Sequence, residues 1–130
     1  MPKVFDTYKP DGPAVGTAVR LEAMLIGNRW DNLVIADSIE SLESGIAFPI
    51  LDENLIERLV ASGIFPIGGG RFGYRYGCVL DAELAAGTRG YRYSVKNITF
   101  LQVDYRNKKQ VIRMTEVLDQ SSEALDERDL

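Results

Sequence analysis

Histidine is absent from this 130-residue chain, and cysteine occurs once, as Cys78. The first absence removes the commonest general base and the commonest metal ligand. The second excludes an internal disulfide and, with carboxylates dispersed along the chain, leaves no metal-binding spacing. Acid pairs such as Glu40/Glu43 and Asp81/Glu83 stand at the spacing of solvated surface groups. No catalytic residue, metal or cofactor is therefore expected, and the chain reads as a non-enzyme. Long apolar runs are also missing, so no membrane span or membrane partner is expected. Met1 is not followed by a basic and apolar leader, which makes a reducing cytoplasm the expected compartment.

What is present is an ordinary globular balance, 45% hydrophobic and 26% charged. Its length suits one domain with a core of its own. The net charge of −4 conceals three blocks. Residues 1–70 carry five Lys/Arg against ten Asp/Glu, residues 71–113 nine against three, and residues 114–130 one against six. A basic middle between acidic flanks suits an anionic partner, with an acidic end that competes for the same surface or recruits something else. The simpler reading is an antiparallel sheet whose acidic and basic strands are neighbours.

Residues 1–16, with three prolines and two glycines, read as an extended N-terminal arm. Val19, Leu21, Ala23 and Leu25 then alternate with Arg20, Glu22 and Met24 as a first, half-buried strand. After a turn over 27–32, residues 33–36 form a short second strand, and 37–44, polar with isolated Ile39 and Leu42, read as a connection or a weakly formed edge. A third strand is stopped by Pro49. Asp52 is placed to cap a helix that buries Leu55, Ile56, Leu59 and Val60, and Gly63 is placed to end it. The alternation Tyr76, Cys78, Leu80, Ala82, Leu84 marks a fourth strand with Cys78 inward, where a small buried hydrophobe is expected rather than a reactive thiol. Residues 91–105 form a fifth strand, bulged near Asn97. Residues 106–109 turn the chain into a sixth strand over 110–117, and an acidic tail fills 118–130.

Three strands, a helix and two long strands resemble the OB-fold, the small Greek-key barrel with a helix between its third and fourth strands. The likeness rests on Val19–Leu25, Leu33–Asp37, the helix from Asp52 to Gly63, and Val79–Leu84. It implies a mainly β, barrel-forming domain over 17–117. The alternative is an α+β domain with one helix on an open antiparallel sheet. The resemblance also implies oligonucleotide contacts from the loops at 27–32, carrying Arg29 and Trp30, and at 85–90, flanked by Tyr91, Arg92 and Tyr93.

The tetrapeptide Gly-Tyr-Arg-Tyr occurs twice, at 73–76 and 90–93. Single-stranded nucleic acid needs ring faces for its bases and cations for its phosphates. Trp30, Phe72, Tyr74, Tyr76, Tyr91 and Tyr93 are the candidate rings; Arg71, Arg75, Arg89, Arg92 and Lys96 are the candidate cations. A hairpin of the fourth and fifth strands is expected to merge the two copies into one patch. Cross-strand Tyr and Arg also stabilise β-sheets without any ligand. The first functional expectation is a non-catalytic, single-stranded nucleic-acid-binding domain. The second is a protein-interaction module, immunity-like, antitoxin-like or an accessory subunit, for which Leu125, Asp126, Glu127, Asp129 and Leu130 offer a recruitment tail. A homo-oligomer is compatible with either.

Overall fold

The computed structural model describes residues 2–8, 12–27, 33–66, 73–88 and 90–114. The described chain is mainly β. Six strands, β1 (Ala18–Gly27), β2 (Val34–Ala36), β3 (Ala47–Pro49), β4 (Tyr74–Ala86), β5 (Tyr93–Tyr105) and β6 (Lys108–Val111), form one sheet in the order β3-β2-β1-β4-β5-β6. All of their ladders are antiparallel. Three short helices accompany them: α1 (Val4–Tyr8), α2 (Ile39–Glu43) and α3 (Leu55–Ala61). No helix among the described residues is long and apolar enough to cross a membrane.

Alternation sorts the long strands into two faces. Leu21, Ala23 and Leu25 of β1, Cys78, Leu80, Ala82 and Leu84 of β4, and Val95, Leu101 and Val103 of β5 are buried together with Phe48. Leu55, Leu59 and Ile64 close this core from the α3 side. The end of α3 follows its sequence. Gly63 takes φ 86°, its N–H donates to Val60 O at 2.9 Å, and the Ile64 N–H donates to Leu59 O at 2.9 Å. This paired closure lets Ile64 pack beside Leu59. The start is later than expected: the cap position is Asn54, while the Asp52 carboxylate accepts the Asn54 N–H at 3.0 Å.

Continuous pairing does not close the sheet into the expected barrel. Instead β6 pairs with the Gln102–Tyr105 end of β5, and the other end of β5 meets the chain after β3 through a single parallel bridge, Ile50 to Val95. There the Leu51 N–H donates to Val95 O at 2.8 Å. The bulge expected near Asn97 is present. Pairing shifts between Asp81↔Phe100 and Glu83↔Lys96, with Asn97 at φ 51°.

Three local expectations are corrected. The N-terminal arm is not extended throughout, because α1 forms and seats Val4 in the core; the Asp37 carboxylate accepts the Val4 and Phe5 N–H groups at 2.9 and 3.0 Å. A carboxylate 32 residues away in the chain thus satisfies donors that this short helix leaves open. Residues 37–44 are not a plain connection, because Ser38 Oγ accepts the Ser41 N–H at 3.1 Å and caps α2. Ile39 and Leu42 of α2 then pack on a second small cluster, Ile26, Ala36 and Ala47. Finally, β6 starts at Lys108 rather than at 110 and is assigned to Val111. Arg106 and Asn107 adopt φ 53° and 66°, so two residues turn the chain where four were expected.

Candidate functional site

Tyr76 and Tyr105 lie at one end of the β4–β5 pair, Ala86 and Tyr93 at the other. An antiparallel hairpin sets the start of one strand against the end of its partner. The two Gly-Tyr-Arg-Tyr copies, each at the start of a strand, are therefore separated by most of the length of β4, roughly 30 Å at the rise of a β-strand. They do not form the single patch expected from their repetition.

The first copy builds the more concentrated site. The Gly73 N–H donates to Gly27 O at 2.8 Å, which ties the start of β4 to the end of β1. Strand alternation then turns Tyr74 and Tyr76 inward and leaves Arg75 exposed. Tyr74 is 0% exposed, and its hydroxyl has no hydrogen-bond partner among the described residues. Tyr76 is half-buried and its hydroxyl donates to Phe65 O at 3.0 Å. The Tyr76 ring meets Tyr74 and Tyr105 edge to face, with centroids 6.3 and 5.2 Å away. Arg106 covers the Tyr105 ring at 5.2 Å from its centroid. Burial raises the Tyr76 phenol above its ordinary range, the neighbouring Tyr105 adds to this, and Arg106 opposes it. Burial raises Tyr74 as well.

Carboxylates pair several cations of the described chain, including one at this end. Arg20 grips Asp81 through two bonds of 2.6 and 2.7 Å and lies 5.3 Å over the Phe100 ring. Lys3 meets Glu22 at 2.8 Å, Arg58 meets Asp52 at 3.8 Å, Lys96 meets Glu83 at 3.9 Å and Lys109 meets Asp104 at 3.0 Å. Arg75, Arg106 and Lys108 are exposed, and no carboxylate among the described residues forms an ion pair with them. Arg106 and Lys108 lie beside the Tyr76–Tyr105 contact, because Arg106 covers the Tyr105 ring and Lys108 pairs with Tyr105 in the β5–β6 ladder, whereas Arg75 alternates with Tyr74 and Tyr76 and faces the other side of the sheet.

The second copy is used differently. Tyr93 is 5% exposed, and its hydroxyl donates to Pro13 O, anchoring the lead-in. Its ring also packs edge to face with Phe48 at 5.4 Å. Tyr91 packs against the α2 cluster. Arg92 is exposed at 5.6 Å over the Tyr93 ring, and Lys96 faces Glu83. Tyr74 and Tyr93 thus offer no open ring face. Trp30, Arg71, Phe72, Arg89 and the tail residues Leu125, Asp126, Glu127, Asp129 and Leu130 lie outside the described residues.

Tyr105, Arg106 and Lys108 do not belong to the repeat that drew attention to the tyrosines. The signal open to sequence reasoning was a third Tyr-Arg dipeptide, 105–106, after those at 74–75 and 91–92. It lacks the flanking glycine and second tyrosine. Elsewhere, an open hollow of about 360 Å³ is lined by Lys3, Glu22, Ala23, Met24, Asp37 and Gly77. Its charged groups already bond one another or α1. Cys78 is buried, and burial pushes its thiol up to about 12, which disfavours the thiolate. No protein-family model, curated protein or solved structure matches this chain.

Proposed function

We propose that the chain is a non-catalytic binding domain of OB-like architecture that engages single-stranded nucleic acid at the Tyr76–Tyr105 end. The observation that carries the reading is a coincidence of charge and rings. Arg106 and Lys108, exposed and without an ion-pair partner among the described residues, stand beside a ring pair bearing a stacked guanidinium. Cations of this kind neutralise phosphates, while half-buried tyrosines provide ring surface for bases. The OB-like part is supported by the β1 pairings to β2 and β4 and by the Ile50–Val95 bridge, which brings β3 beside β5.

Titration of a labelled single-stranded oligonucleotide at increasing ionic strength tests this function. Binding is expected to weaken with salt, and Arg106→Ala with Lys108→Ala is expected to reduce the salt slope by about 0.7 for each phosphate that is no longer neutralised. No binding at low ionic strength would overturn the reading. A protein-interaction module is the second reading, favoured by Phe65, which is 51% exposed and whose carbonyl holds Tyr76.

A further inference from the structure

The two outer strands of the sheet end differently. On one side β3 stops at Pro49, and the chain passes directly into the Ile50–Val95 bridge and the bond from the Leu51 N–H to Val95 O. On the other, β6 has no further strand beside it among the described residues. Register shows which of its backbone groups are open. Tyr105 and Lys108 flank the two-residue turn, and the Ile112 N–H donates to Leu101 O at 2.8 Å. Lys108, Gln110 and Ile112 are therefore the residues bonded to β5, and the N–H and C=O groups of Lys109 and Val111 point away from the sheet.

Side chains give this edge two unlike faces. Lys108 and Gln110 share the side of Tyr105 and Val103, whereas Lys109 and Val111 share the side of Asp104 and Gln102. Lys109 already holds Asp104 at 3.0 Å, and Val111 is 56% exposed. Lys108 is exposed, with Arg106 across the turn, and no carboxylate among the described residues forms an ion pair with either. A second copy of β6 would bring Arg106, Lys108 and Lys109 against themselves, and such like-charge crowding opposes edge-to-edge pairing. A strand that matches has carboxylates on the Lys108 side and apolar residues on the Val111 side.

We propose that the β6 edge takes up an extended acidic segment of another protein as an added strand. Its main chain bonds Lys109 and Val111, its carboxylates lie beside Lys108, and its apolar side chains cover Val111. N–H and C=O groups at strand spacing match a peptide backbone, whereas phosphates offer acceptors only. This surface therefore goes beyond the nucleic-acid reading and does not depend on it.

The test mixes the full chain with a short fluorescein-labelled peptide of alternating Glu and Val. With peptide at about ten times its Kd, amide hydrogen exchange at Lys109 and Val111 is expected to slow about tenfold. Exchange at Lys108 and Gln110, already bonded to β5, should change less. N-methylation of one alternating set of peptide residues should lower affinity about tenfold, and methylation of the other set should leave it unchanged. No binding, or binding that neither set of methyl groups alters, would overturn the proposal. Self-association of the chain that is dispersed by Val111→Pro, which removes an outward-facing N–H, would overturn it in favour of a second copy. Slowed exchange at Lys109 and Val111 with an oligonucleotide but not with the peptide would overturn it in favour of nucleic acid. Peptide binding without oligonucleotide binding would support this inference and remove the nucleic-acid reading alone.

Discussion

Tyr76 and Tyr105 meet edge to face across β4 and β5, with ring centroids 5.2 Å apart. Each ring is constrained beyond this contact, Tyr76 by its hydroxyl bond to Phe65 O and Tyr105 by Arg106 above it. Edge-to-face pairs add about 0.5–1.5 kcal/mol beyond the area they bury. The contact therefore fixes the position of Arg106 at a turn whose left-handed backbone is itself unusual for arginine.

Two tyrosines of the repeat should respond in opposite senses to removal of a hydroxyl. Tyr74→Phe removes a buried group that has no partner among the described residues, so stability is expected to rise by about 1 kcal/mol. Tyr93→Phe removes the bond to Pro13 O and is expected to cost about 1 kcal/mol. Urea unfolding monitored by circular dichroism distinguishes the two; equal destabilisation would contradict the different environments of the hydroxyls.

Asp37 holds the first amides of α1 through its carboxylate. Asp37→Ala is expected to destabilise the protein by about 1–2 kcal/mol, the range for removal of a helix cap. Hydrogen exchange should accelerate over residues 4–8 while the paired centre of β4 and β5 keeps its protection. Unchanged exchange at Val4 and Phe5 would show that burial of Val4 alone secures this segment.

Stability should fall in acid through two identifiable carboxylates. Hydrogen bonding from Arg20 holds Asp81 below the usual carboxylate range, and hydrogen bonding from Lys3 does the same for Glu22. A depressed folded-state pKa stabilises the protein above the unfolded value near 4, and that contribution disappears as pH falls through the folded value. Thermal melts from about pH 6 to pH 2 should therefore show a smaller acid loss in Asp81→Asn than in the parent chain. An identical pH profile would remove Asp81 from the explanation.

Much of the sheet was legible because alternation reports directly which strand face is dry. Val19 to Leu25, Cys78 inside β4, the bulge near Asn97 and the Gly63 ending of α3 all follow from local pattern and backbone chemistry. The short helices were less legible. Five-residue α1 depends on a distant carboxylate at Asp37, and five-residue α2 depends on a cluster assembled by three strands. Neither has enough residues to announce a period.

The amino-acid sequence by itself determined the alternating core, the positions of the principal breaks and the segregation of charge into a basic middle and acidic flanks. Only the tertiary structure decided how the repeated tyrosines and arginines are used. Antiparallel pairing sent the two copies to opposite ends of β4, since strand direction reverses at every hairpin. It also joined the first copy to Tyr105 and Arg106, a relationship that depends on register across 29 residues of chain and on no local preference.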